Sequence, residues 1–176
     1  PHQGERQARQ RAFDALPARL RRAGYFNIAL WGANPSFDNQ LFWANKWYDR
    51  LMFPKSAARF VILRPTADDV LMDQLIGAIA AHDSTSPAQP FFAYVASGGT
   101  HEPYTIIGDT RLDDSTIRAV AAEPDTRARY RLVLRNLDTQ IGRVLDFLAA
   151  RRARAGGRPL VVIVTGDHGE GAGERV

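Results

Sequence analysis

The residues best suited to chemistry lie near the end of the sequence, in the stretch GDHGEG. Asp167 and His168 follow an uninterrupted apolar run at 159–165 that predicts a buried strand. A carboxylate oxygen beside an imidazole suits a divalent cation such as Zn²⁺, Mn²⁺ or Mg²⁺. Neighbours on a regular strand point to opposite faces, so both reach one ion only if the backbone turns, which Gly166 and Gly169 permit. The same stretch also fits an ordinary turn without a ligand.

A second polar stretch, SGGTHEPY at 97–104, follows the predicted strand at 91–96 and contains His101. A loop histidine can donate a hydrogen bond to an anionic oxygen and can act as an acid near neutral pH. It can equally be an exposed or structurally bonded residue. His2 and His82 are interpreted as structural, one near the start of the chain and one at a helix end.

Strands and helices that alternate along the chain must position these residues. Four apolar runs predict strands, at 25–31, 59–63, 91–96 and 159–165. The long run at 159–165 is typical of a parallel sheet covered on both faces. We therefore expect an α/β fold, with a mostly parallel sheet and helices on both faces. In such sheets ligands bind beyond the carboxyl ends of the strands, where both polar stretches lie.

Helices are predicted by apolar residues spaced three and four apart. They cover 8–23, 38–48, a segment that begins with the capping-box spacing of Thr66 and Asp69, and 128–153. The last of these has one apolar face: Tyr130, Leu134, Leu137, Ile141, Val144, Leu145 and Leu148. Residues 97–127 are expected to be irregular, and long loops of this kind often carry function.

Composition excludes several classes of site. The 176 residues contain no cysteine, so disulfides, thiolate metal sites and a cysteine nucleophile are excluded. The net charge of +4 comes almost entirely from arginine, which suits either an anionic ligand or a solvated surface. No nucleic-acid-binding motif is present, and no nucleic-acid partner is expected. No apolar run approaches the roughly 20 residues of a membrane-spanning helix.

Three stretches in order, PFFAYVASGGTHEPY, RYRLVLRNLDTQIGRVLDFL and VVIVTGDHGEGAGE, resemble the alkaline phosphatase/sulfatase superfamily. The resemblance is to the sulfatase domain that sulfatases share with phosphoglycerol and phosphoethanolamine transferases. An earlier stretch, LRRAGYFNIALWGANPSFDNQLFWANKWYD, is similar to the lipoteichoic acid synthase-like branch. The resemblance spans about residues 15–174, and it implies an alkaline-phosphatase-like fold.

By this resemblance, Asp167 and His168 are metal ligands for a divalent ion (Mn, Zn, Ca or Mg), and His101 contacts the sulfate or phosphate group. An activated hydroxyl would attack phosphorus or sulfur, and the product would pass to water or to another alcohol. Asn39 matches a substrate-binding position of the transferase branch. The neighbouring Asp38 and Gln40 depart from that branch, so the ester headgroup stays open.

The family's nucleophile lies upstream of the matching segments, and residues 1–24 contain nothing similar. Residues 1–176 are therefore expected to be a partial catalytic domain without its nucleophile segment and its C-terminal remainder, inactive alone and able to self-associate through an exposed sheet edge. The parent protein is expected outside the cytoplasm or in the periplasm, anchored to a membrane by other segments, and acting on a small or lipid-linked ester. The alternative is a non-catalytic binding or sensing module with the same fold.

Overall fold

The computed structural model describes residues 15–33, 40–53, 66–106, 111–154 and 159–169. The elements in chain order are α1 (Leu16–Arg22), β1 (Phe26–Trp31), α2 (Gln40–Trp47), β2 (Arg50–Met52), α3 (Asp68–Thr85), β3 (Phe91–Ala96), α4 (Asp114–Ala122) and α5 (Thr126–Arg154). No helix in these ranges combines the length and apolar character needed to cross a bilayer.

The three strands form one parallel sheet in the order β2-β1-β3. β1 lies in the centre, with Ile28 beside Arg50 of β2 and beside Ala93 of β3. The predicted strands at 25–31 and 91–96 are confirmed to within a residue. The three-residue strand β2 was not predicted, because so short a segment shows no periodicity. The predicted strand at 59–63 lies outside the described residues.

Helices cover both faces of the sheet, as the α/β prediction requires. On one face Ile28 and Leu30 pack against α3 and α5, with Leu71, Leu75, Ile79, Val144 and Leu148 in one buried cluster. On the other face Ala29 and Trp31 pack against Ala44 of α2. A second buried cluster joins Tyr104, Ile106, Val120 and Val133. The α/β fold with helices on both faces of a parallel sheet is therefore confirmed.

The predicted strand at 159–165 is not paired in the described part of the chain, so this prediction is wrong. Leu160 packs against the main core, but Val161 and Ile163 have 82% and 80% of their surface exposed. An apolar run predicts burial, whereas a ladder also needs a neighbouring edge within hydrogen-bonding distance. Among the residues that the structure describes, no strand edge lies beside 159–165.

Two helix predictions and one loop prediction also need correction. α3 begins at Asp68, and its N-cap residue is Ala67, which makes no side-chain cap, so the capping box at Thr66 does not form. The stretch 97–127 is not wholly irregular, because it contains α4, whose first turn is capped by Asp113 accepting from the Thr116 N–H at 2.9 Å. The helix predicted at 8–23 begins at Leu16, and 8–14 lies outside the described residues.

The long helix extends from Thr126 to Arg154, close to the prediction, but its buried face is rotated. Leu134 and Leu145 remain more than 40% exposed, whereas Val133 and Gln140 are almost completely buried. α5 packs mainly on α3 and on the Tyr104 cluster, and their positions select the buried side of the helix. Gln140 is accommodated because its Oε1 accepts from Arg143 Nη1 at 2.7 Å.

Asn27 of β1 joins the sheet to two helices. Its buried Nδ2 donates to the carbonyl oxygen of Pro17 in α1 at 2.7 Å and to that of Trp47 in α2 at 2.8 Å. Its backbone N–H donates to Asp49 Oδ2 at 2.9 Å, and its carbonyl accepts from the Asp49 N–H at 2.8 Å. Trp47 is the last residue of α2, where helix carbonyls have no partner within the helix, so the Asn27 side chain supplies one.

α3 and α5 are joined by charged pairs at both ends of their contact. Arg151 forms a two-pronged ion pair with Asp83, with nitrogen–oxygen distances of 2.6 and 2.7 Å. Asp73 accepts from Arg143 and from Arg111. Arg151 also lies over the Phe91 ring, 4.9 Å from its centroid. The hydrogen bonds from Arg151 hold the pKa of Asp83 below its usual value, because they favour the ionised carboxylate.

Replacement of Asn27 by alanine is expected to destabilise the protein by about 2–4 kcal/mol, because two buried carbonyls lose their donor. Urea denaturation monitored by circular dichroism measures the effect. Asn45→Ala on exposed α2 surface is the matched control and should change stability by less than about 0.5 kcal/mol. Equal stabilities for the two variants would contradict the assignment.

Asp83→Asn is expected to lower the free energy of unfolding at pH 7 by about 1 kcal/mol, the scale of a well-formed, partly exposed ion pair. The folded-state pKa of Asp83 is lowered, so its contribution is complete above the unfolded pKa of about 4 and disappears as the pH falls through the folded value. Denaturation at pH 7 and below pH 3 should therefore show the difference shrinking in acid. Asp146→Asn, at an exposed position of α5, should show no such trend.

Candidate functional site at the carboxyl edge of the sheet

The chain turns tightly where β1 and β3 end at the same edge of the sheet. The Gly32 N–H donates to the Ala96 carbonyl at 2.7 Å, so the two strand ends are held together. A Cβ atom at Gly32 would lie 2.9 Å from the Gly98 nitrogen and 3.3 Å from the Ala96 oxygen. Only glycine permits this approach. The loops that follow β1 and β3 are therefore adjacent at the edge where an α/β sheet binds ligands.

Asp68, in the first turn of α3, is buried at this edge with 4% of its surface exposed. Its Oδ1 accepts from Ser97 Oγ at 2.7 Å, and Ser97 Oγ in turn accepts from the Gly99 N–H at 3.3 Å. A small cavity beside it is lined by Asp68, Gly99, Thr105 and Asn136 among others. The sequence analysis missed Asp68. The only signal was a pair of acidic residues at a helix start, which is common.

His101 occupies the exposed tip of the loop that follows β3. Its backbone N–H donates to the Gly98 carbonyl at 3.3 Å, and its own carbonyl accepts from the Tyr104 N–H at 2.9 Å. The ring Nδ1 lies 2.8 Å from the Glu102 carbonyl, which only accepts, so Nδ1 carries a proton. Nε2 is therefore the nitrogen available to a ligand. It accepts a proton when the ring is neutral and donates to an anion when the ring is charged.

Asp167 and His168 form an exposed pair of potential metal donors. Asp167 Oδ1 and His168 Nε2 are 3.9 Å apart, and the side chains are 93% and 65% exposed. Asp167 Oδ1 also accepts from the His168 N–H at 3.0 Å. Two ligands of one tetrahedral Zn²⁺ are about 3.4 Å apart, so a small side-chain movement brings both to one ion. His168 Nδ1 donates to the Gly169 carbonyl at 3.0 Å, so Nδ1 carries the proton and Nε2 is the ring nitrogen of the type that ligates metals.

Three aromatic side chains form a cluster on one face of the sheet. Trp31, Tyr48 and Tyr94 contact one another, with ring centroids 5.6–6.4 Å apart. Burial, followed by the negative charge of Asp167, raises the pKa of Tyr94. Burial and then Tyr94 raise the pKa of the Tyr48 hydroxyl. Both phenols therefore stay neutral at physiological pH.

Comparison with known proteins identifies the family. The sequence matches the family described as Sulfatase over residues 1–175. The chain belongs to the sulfatase family. This confirms the resemblance to the sulfatase domain noted in the sequence. No curated protein gives a significant match.

Two solved structures share the fold of this sulfatase-family chain. The lipoteichoic acid synthase LtaP from Listeria monocytogenes matches with a TM-score of 0.57, 18% identity and 81% coverage of this chain. A protein in the alkaline phosphatase superfamily from Vibrio parahaemolyticus matches with a TM-score of 0.59, 19% identity and 80% coverage. The match covers 33% of each of those chains. The alkaline-phosphatase-like fold is thus confirmed. At 18% and 19% sequence identity, these matches support a shared fold only.

The sulfatase-family chain brings only some of the predicted site residues to the described edge. No group of three histidine, aspartate or glutamate side chains arranged for a metal occurs within the described ranges. Asn39 lies outside the described residues, as does Asp38. The acid–histidine pair fits a divalent ion in donor type and spacing, but an ion held there would need further donors beyond these two. Whether it is bound remains a prediction.

The three described histidines are expected to differ in tautomer. Nδ1 of His101 and of His168 faces a carbonyl oxygen, whereas His82 presents Nε2 to the Gln89 carbonyl at 3.1 Å. In the neutral form of each ring, the first two should be Nδ1–H tautomers and His82 the Nε2–H tautomer. Long-range ¹H–¹⁵N correlation spectra distinguish the two forms. An Nε2–H tautomer at His168 would contradict its geometry as a ligand.

Proposed function

We propose that this chain is part of a metal-dependent enzyme that hydrolyses or transfers a phosphate or sulfate ester. The observation that carries the proposal is the Asp167–His168 pair, whose donor atoms lie 3.9 Å apart. Membership of the sulfatase family supports the reaction class. The full activity is a proposal, because the chain spans a third of the length of its structural relatives.

Each polar group has a separate task in this proposal. Asp167 Oδ1 and His168 Nε2 would hold a divalent ion, and the hydrogen bond from His168 Nδ1 to the Gly169 carbonyl would fix the ring for that purpose. When bound, the ion would supply Lewis-acid stabilisation of negative charge on the ester oxygens. His101, exposed at the loop tip, would contact the phosphate or sulfate group through Nε2. Asn39 is proposed as a further substrate contact.

The substrate is proposed to be anionic and presented outside the cytoplasm. The net charge of +4 favours the approach of an anion. The fold shared with a lipoteichoic acid synthase supports a lipid-linked phosphate ester and transfer to an alcohol. Membrane attachment would come from segments of the parent protein beyond residues 1–176. The nucleophilic hydroxyl is likewise expected from outside this chain.

A non-catalytic module that keeps the fold is the second candidate. It is favoured by the exposure of Asp167 and by the absence of a third metal donor among the described residues. The two candidates differ in metal binding and in ester turnover, and both can be measured. An enzyme must bind its ion through the pair and turn over an ester, whereas a binding module need do neither.

Titration of the full-length protein with Mn²⁺ or Zn²⁺ by calorimetry tests the proposal. Asp167→Ala and His168→Ala are each expected to weaken the affinity by more than about tenfold, because a ligand contributes at least as much as a group that orients one. Asp138→Ala is the matched control, since its carboxylate is exposed on α5. Unchanged affinity in both variants would eliminate the metal assignment.

The same variants should lose turnover of an aryl phosphate or an aryl sulfate at saturating metal. Turnover of the phosphate alone would assign a phosphoester enzyme, and turnover of the sulfate alone a sulfatase. Metal binding without turnover of either ester would support the non-catalytic module.

A further inference from the structure

The loop that carries His101 is held at its two ends by different parts of the fold. At its exit, Tyr104 is buried with 8% exposure, and its ring meets Tyr130 of α5 edge to face at 5.3 Å. Tyr104 also has a positive φ of 57°, a conformation that few residues other than glycine adopt. The entry of the loop, 97–99, has no comparable apolar anchor and is held by polar contacts instead.

Those polar contacts converge on Asp68. Its Oδ1 accepts from Ser97 Oγ at 2.7 Å, and the same hydroxyl accepts from the Gly99 N–H at 3.3 Å. The Asp68 side chain is 4% exposed and belongs to α3, whose first turn packs at this edge. A buried carboxyl group bonded to a loop hydroxyl fixes that loop more firmly than an exposed one, since water does not compete.

Gly99 completes the contact by lying directly against the carboxyl group. A Cβ atom at position 99 would lie 2.8 Å from Asp68 Cγ and closer still to Oδ2. No side chain fits there while Asp68 keeps its position. The Asp68 carboxyl group therefore occupies the space that a side chain at position 99 would need.

We propose that Asp68 is a positioning residue that fixes the position and orientation of the loop that carries His101. This inference rests on the proposed function, because that proposal assigns His101 to contact with the substrate. Asp68 holds the loop two to four residues before His101, and Tyr104 holds it three residues after. Between them the His101 backbone makes only loop hydrogen bonds, to Gly98 and from Tyr104. Displacement of the entry anchor would move the imidazole without unfolding the core.

A simpler role for Asp68 is stabilisation of α3, since a negative charge in the first turn of a helix complements the helix dipole. The two roles predict different behaviour. Loss of a dipole interaction lowers stability and affects turnover equally with or without His101. Loss of a positioning contact lowers turnover only while His101 is present to be positioned.

A double-mutant cycle on the full-length protein separates them. Asp68→Ala is expected to lower kcat by about 10- to 100-fold with a smaller change in KM, the usual cost of misplacing a reacting group by about 1 Å. In a His101→Ala background the same substitution should lower kcat by less than about twofold, because the two residues act as a unit. Asp83→Asn, which removes a carboxylate of α3 far along the helix, should leave kcat unchanged in both backgrounds.

Gly99→Ala provides an independent test of the same contact. Alone it should lower kcat as Asp68→Ala does, because its methyl group and the carboxyl group compete for one place. Combined with Asp68→Ala, it should cost little more than Asp68→Ala alone, since the space is then free. Additive losses in both cycles would overturn the proposal and leave Asp68 as a helix-stabilising residue.

Hydrogen exchange of the 98–104 amides keeps the inference separate from the proposed function. Asp68→Ala should accelerate exchange in this segment at least about tenfold while the amides of β1 stay protected, because the loop opens locally. This result is expected even if the wild-type protein turns over no ester, in which case the proposed function fails and the anchoring contact stands. Unchanged exchange in the segment would overturn the anchoring contact itself.

Discussion

The burial of β1 is the constraint on which the rest of this structure depends. Residues 27–30 have no accessible surface. A strand in that position must have its backbone groups paired along both edges and both its faces covered by other elements. β2 and β3 meet the first requirement as parallel neighbours, and α2 on one face with α3 and α5 on the other meet the second. Asn27 extends the same arrangement to α1 through the Pro17 carbonyl.

Within the described ranges, this arrangement leaves the carboxyl edge of the sheet for polar chemistry. The faces of the sheet are apolar, and the amino ends of the strands are closed by contacts such as the stacking of His82 on Phe26, 4.8 Å between ring centroids. At the carboxyl edge the chain leaves the sheet through glycines, and the buried carboxyl group of Asp68 meets the loop after β3. Polar residues occur there because the backbone groups of turns and loops need hydrogen-bonding partners. Such polar side chains can also bind a ligand.

The loop that carries His101 and the turn that carries Asp167 and His168 differ in how firmly they are held. The His101 loop is anchored by Asp68 on one side and by Tyr104 on the other. Asp167 and His168 make hydrogen bonds mainly within their own turn, and the apolar residues before them are largely exposed. After burial, the negative charge of Asp167 is the second cause that raises the pKa of Tyr94 in β3. A divalent ion that ligated both side chains would add the constraint that this turn lacks, since ligand bonds fix the groups that make them.

The sequence by itself determined the apolar runs of β1 and β3, the helical character of α3 and α5, the parallel α/β architecture and the sulfatase family. It also indicated His101, Asp167 and His168 as the residues suited to chemistry. Each of these depends on residue type and on spacing within one segment. Tertiary structure alone decided the pairing of β2, the buried face of α5, the exposure of 159–165 and the contact of Asp68 with Ser97 and Gly99. Those features depend on contacts between groups about 20 to 70 residues apart in sequence. Local periodicity reports only on residues within one segment, so it cannot predict such contacts.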